Sequence, residues 1–70
     1  MSEKFFDIIK DGEWHKLNEI ADELDVPLEK VIKLSRYASQ QHILEYQEVT
    51  QEIRIKAEWK QRLPEEKFTS

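Results

Sequence analysis

Apolar residues return every three or four positions through the first forty residues, and from Ile43 onward they return every second one. The first rhythm belongs to helices with one buried face, the second to strands with one buried face. Phe5, Phe6, Ile8 and Ile9 supply the apolar face of a first helix, with Ser2 as its expected cap and Glu3 and Asp7 near its positive end. Asp11-Gly12 ends it; Gly12 is the only glycine and the natural left-handed residue after a helix. The stretch 13–15, Glu13-Trp14-His15, predicts a short edge strand or extended link with Trp14 as its buried anchor.

Leu17, Ile20, Ala21 and Leu24 mark one buried face of a second helix, and Asn18, Glu19, Asp22 and Glu23 fill its other side. Val26 is expected to point back to the core, and Pro27 disfavours helical geometry at the residue before it, so the chain turns there. A third helix is predicted over 28–41, with Val31, Leu34, Ser35 and Ala38 inward. The small Ser35 and Ala38 allow another element to approach closely. Leu44 and Tyr46 then alternate with Glu45 and Gln47, and Ile53 and Ile55 with Glu52, Arg54 and Lys56. This predicts a hairpin whose turn, Glu48-Val49-Thr50-Gln51, contains no glycine. Trp59 and Leu63 predict a closing helical turn stopped by Pro64. The expected fold is α+β, mainly α with a small β-hairpin. One domain would span 1–63, followed by a frayed tail over 64–70.

Composition narrows the class. Seventy residues with 39% hydrophobic content suit one small folded domain. With no cysteine there is neither a disulfide framework nor a thiolate metal site, which fits a reducing compartment. No apolar run approaches the roughly 20 residues that span a bilayer, so the expectation is a cytoplasmic protein without a membrane partner. Net charge is −4, yet the charge is unevenly spread. Residues 1–27 hold eight carboxylates against three lysines, whereas 28–42 hold Lys30, Lys33 and Arg36 against Glu29 alone. Enzyme chemistry finds little inventory: His15 and His42 lie in different elements, and no glycine-rich phosphate loop or metal-ligand spacing occurs. No catalytic role and no cofactor are expected.

Taken in order, Leu17-x-x-Ile20-Ala21-x-x-Leu24-x-Val26, Val31-x-x-Leu34-x-x-x-Ala38, Ile43-Leu44-x-Tyr46 and Ile53-x-Ile55 leading to Trp59 resemble a winged helix-turn-helix domain. The likeness is strongest to small stand-alone archaeal transcription regulators. It covers about residues 3–63 and implies three helices with a two-stranded wing. Asp25 and His42 stand where the family commonly has glycine, and both residue types tolerate positive φ better than most. Pro27 stands where the family often has a capping Ser or Thr that also touches a phosphate.

The resemblance implies duplex DNA as partner, with helix 28–41 in the major groove. Its outward positions would be Leu28, Glu29, Ile32, Lys33, Arg36, Tyr37 and Gln40, flanked by Lys30. Lys33 and Arg36 are candidates for phosphates or guanine, Gln40 for a phosphate or an adenine edge, and Tyr37 for a phosphate. Arg54 and Lys56 on the second wing strand are candidates for gripping backbone, while the wing tip carries Glu48 and Glu52 and repels it. Winged helices also serve as protein-interaction modules, as in RNA polymerase accessory and endosomal-sorting subunits. Net acidity and the apolar pair Leu28 and Ile32 favour that alternative, unless the helix is rotated so that both are partly core. A homodimer through Trp59, Leu63 and Phe5 or Phe6 is a further possibility.

Overall fold

The structure is a computed structural model that describes residues 2–60. In chain order the elements are α1 (Ser2–Ile9), β1 (His15–Lys16), α2 (Leu17–Leu24), α3 (Leu28–Gln40), β2 (Leu44–Gln47), β3 (Glu52–Ile55) and α4 (Ala57–Lys60). The chain is α+β: four helices with a three-stranded antiparallel sheet of order β1-β3-β2 among the described residues. The side chain of Ser2, and with it the expected cap, lies outside what is described, as do Leu63, Pro64 and the tail.

Around the first strand the structure differs from the sequence expectation. The edge strand is His15–Lys16, starting two residues later than the expected 13–15, because its pairs are His15 with Ile53 and Lys16 with Glu52. Trp14 is only half-buried and stays outside the core. Standing one residue before the pair of His15 and Ile53, it lies across from Arg54, whose guanidinium sits 4.6 Å from the ring centroid. The indole is a platform for a cation.

Helix ends follow one geometry. Asp25 is left-handed at φ 59°, its N–H donates to the Asp22 carbonyl, and the Val26 N–H donates to Ala21. His42 repeats this at φ 63°, with its N–H donating to Ser39 and the Ile43 N–H to Ala38. Both are Schellman caps, in which the residue after the left-handed one packs inward; Val26 and Ile43 lie against the core. Gly12, at φ 83°, donates to the Ile9 carbonyl. A Cβ there would come within 3.2 Å of the Lys60 ammonium. The hairpin turn 48–51 also resolves its lack of glycine with a left-handed residue, Gln51 at φ 58°. The Gln51 carbonyl accepts the Leu17 N–H at 2.9 Å, tying the turn to the start of α2.

Between α1 and β1, Asp11 holds the link. One carboxylate oxygen accepts the Glu13 N–H and faces His15 Nε2, each at 2.9 Å. Those hydrogen bonds, first the one to His15, hold the Asp11 carboxyl below the usual carboxylate range.

The core gathers Phe5 and Ile9 from α1, Leu17, Ile20 and Ala21 from α2, Val31 and Ala38 from α3, and Leu44, Ile53 and Ile55 from the sheet. Helix α3 packs on α2 and on β2, so it is wedged between two layers. Its contact row is Val31, Ser35 and Ala38, all buried, while Leu34 is only half-buried beside them. Ser35 is fully enclosed and its hydroxyl has no hydrogen-bond partner among the described residues. A larger residue would hold α3 away from its neighbours, so the position keeps a small side chain at the cost of an unpaired hydroxyl.

Ser35→Ala is therefore expected to raise the free energy of unfolding by about 1 kcal/mol, because it removes a buried polar group without changing shape. Ser35→Leu is expected to lower it by about 1–3 kcal/mol through overpacking. Urea titrations of the two variants check both signs; a destabilised Ser35→Ala would show that the hydroxyl is paired.

Candidate nucleic-acid interface

With Val31, Ser35 and Ala38 inward, the opposite side of α3 is fixed by helical spacing. Lys33, Arg36, Tyr37 and Gln40 follow one another at offsets of three, four and seven and form one row along the helix. All four are exposed, Tyr37 at 60%. Glu29 opens the row and Lys30 flanks it, both exposed. Lys30, Lys33 and Arg36 join no ion pair within 4 Å among the described residues. Three cations therefore share this side of the helix with one carboxylate, Glu29, which stands four residues before Lys33.

Leu28 and Ile32 do not share that row. Ile32 is partly buried and packs against the core, and Leu28 is 39% exposed at the helix start. They sit toward the buried side, so the apolar stripe expected from spacing alone reduces to the edge of one leucine. The N-cap is Pro27, in extended geometry and without a side-chain cap. Glu29 in the first turn is the acidic residue near the positive end of the helix dipole.

The hairpin cations are placed differently. Arg54 donates to Glu45 Oε1 at 2.8 Å and stacks on Trp14, so its charge is matched within the sheet. The register makes this possible, since Glu45 and Arg54 are direct cross-strand partners. Lys56 lies one residue past β3: its N–H donates to the Ile43 carbonyl and its own carbonyl accepts from Trp59 and Lys60, starting α4. Its side chain is half-exposed. The hairpin turn presents Glu48 and a 96% exposed Val49. Of the cations expected to meet nucleic acid, the α3 set is brought together and the hairpin pair is split off.

For a homodimer, Phe5 is unsuitable because it is fully buried; Phe6 stacks edge-on against it and is half-buried, like Trp59. No group of three or more metal-ligating side chains is gathered among the described residues, and no helix among them is long and apolar enough to cross a membrane. No protein-family model, curated protein or solved structure matches the chain.

The two kinds of cation predict different stability effects. Arg54→Ala is expected to cost about 1 kcal/mol, from a partly exposed cation–π contact and an ion pair. Lys33→Ala and Arg36→Ala should each stay within about 0.5 kcal/mol of the parent. Thermal or urea unfolding separates the cases, and equal losses at all three would mean that α3 also uses its cations structurally.

Proposed function

We propose that this chain is a winged helix-turn-helix protein that binds duplex DNA, in the manner of a small transcription regulator, with α3 as its recognition helix. In this reading α2 and α3 form the helix-turn-helix around the Asp25 turn, and β2 and β3 form the wing. The observation that carries it is the outward row Lys33, Arg36, Tyr37 and Gln40 on a helix whose other side is locked in the core. These residue types suit a groove: Arg and Lys reach guanine or phosphate, Gln reads adenine, and Tyr donates to phosphate.

The same inventory sets the strength. Arg54 is engaged by Glu45, and the wing tip is acidic, so few phosphates are neutralised by one molecule. Binding should be weak and steeply dependent on salt. Glu29 at the start of the row would oppose phosphate there, which favours contacts nearer Lys33 and Arg36. For the alternative, a protein-interaction role, Leu28 is 39% exposed while Ile32 is partly buried against the core, and the net acidity and acidic hairpin turn still favour it.

Fluorescence anisotropy of a labelled random duplex, titrated with the full chain, tests the proposal. Two or three released counterions should give a slope of about −2 to −3 in log affinity against log salt. Lys33→Glu combined with Arg36→Glu should weaken binding by more than about tenfold at low salt. No binding at about 20 mM salt, or unchanged affinity in the double variant, would overturn it.

A further inference from the structure

Beside the exposed row of α3 lies an open groove of about 340 Å³, between α1 and the turn that joins α2 to α3. Half-buried Leu24, Val26 and Leu34 line it with the buried Phe5 and Val31 beneath them, and the exposed Lys30 and Lys33 complete the lining. The size falls at the low end of ligand-binding cavities, roughly 300–1,000 Å³. From this geometry we infer that the groove docks a short acidic amphipathic segment of another protein, one apolar side chain entering it and flanking carboxylates meeting Lys30 and Lys33.

Charge complementarity selects this occupant. Both lysines lack an ion pair among the described residues, and they are three residues apart on one helix, so two carboxylates of one segment are within reach of both. Lysine ammoniums accept carboxylates from several directions, which suits an acidic segment better than a single fixed geometry. Glu19, Asp22 and Glu23 on α2 and Glu48 in the hairpin turn, all exposed, would repel such a partner. Apolar lining and two lysines coincide at this groove. A basic segment would meet the two lysines with like charge, and the major groove of duplex DNA offers no apolar group to fill the floor apart from a thymine methyl. Helix or strand recognition of this kind is usually carried by one or two anchoring side chains.

Peptide docking stands apart from the DNA reading, although the two share Lys33. An acidic segment seated here covers that lysine, so peptide and DNA would exclude each other. Because the test contains no DNA, its result does not depend on whether DNA binds.

Panning a displayed library of random peptides of about 12 residues against the immobilised full chain supplies the probe. Enriched peptides are expected to carry an aliphatic or aromatic residue flanked by at least two Asp or Glu. One such peptide, titrated into isotopically labelled full chain, should shift the amide signals of Leu24, Val26, Lys30 and Leu34. Lys30→Glu with Lys33→Glu, both at exposed positions, should weaken it about tenfold or more, and replacing its apolar anchor with Ser should abolish the shifts. Absence of enrichment, enrichment of neutral or basic peptides, shifts centred elsewhere, or affinity unchanged in the double variant would overturn the inference. So would equal binding of the Ser-substituted peptide, which would reduce the contact to charge alone.

Discussion

Everything on the outer side of α3 depends on how Val31, Ser35 and Ala38 press into the core. These three positions, at 2%, 0% and 2% exposure, set the rotation of the helix about its own axis. The rotation decides that Ile32 is partly core while Lys33, Arg36, Tyr37 and Gln40 face out. Close approach requires small residues, and Ser35 meets the requirement while leaving a hydroxyl without a partner among the described residues. Burying such a group costs about 1–3 kcal/mol, a large share of the stability of a 70-residue chain. Tight caps at both ends complete the constraint. The left-handed Asp25 and His42 stand one and two residues past the ends of α2 and α3 and turn Val26 and Ile43 back onto the core.

The cations divide into two groups with different consequences. Arg54 is spent on the sheet, joining Glu45 on β2 and Trp14 before β1 across the central strand. Lys30, Lys33 and Arg36 join no ion pair within 4 Å among the described residues, and on α3 they outnumber the single carboxylate, Glu29. On a chain of net charge −4 such a cluster is a local field, and local fields steer association when a cleft or row concentrates them. The proposed DNA row and the proposed peptide groove both draw on that field from adjacent sides of α3.

Much of the architecture was legible because apolar spacing is a strong local signal. The faces of α2 and α3 read directly from Leu17, Ile20, Ala21 and Leu24 and from Val31, Ser35 and Ala38. The hairpin read from the alternation around Leu44 and Ile53. What stayed hidden depends on register and rotation, which no local pattern encodes. A two-residue strand such as β1 has no period to detect, and Trp14 could be assigned to the core only until the pairing of His15 with Ile53 put it opposite Arg54. The bond between Arg54 and Glu45 likewise exists only once Glu45 and Arg54 are aligned. Ile32 was ambiguous because it lies at the boundary of the buried arc, where a small rotation changes its fate. The groove was invisible for a further reason: its lining comes from α1, α2, the turn and α3, and no one stretch of sequence contains it.

One measurement bears most directly on the claim that the rotation of α3 defines its working surface. Amide and side-chain signals of isotopically labelled full chain should be followed while a short DNA duplex is added at low salt. The account predicts that the largest changes fall on Lys33, Arg36, Tyr37 and Gln40, with β1 and the outer face of the sheet around Trp14 and Arg54 little affected. Changes centred on the sheet face, or no saturable change along α3, would contradict it.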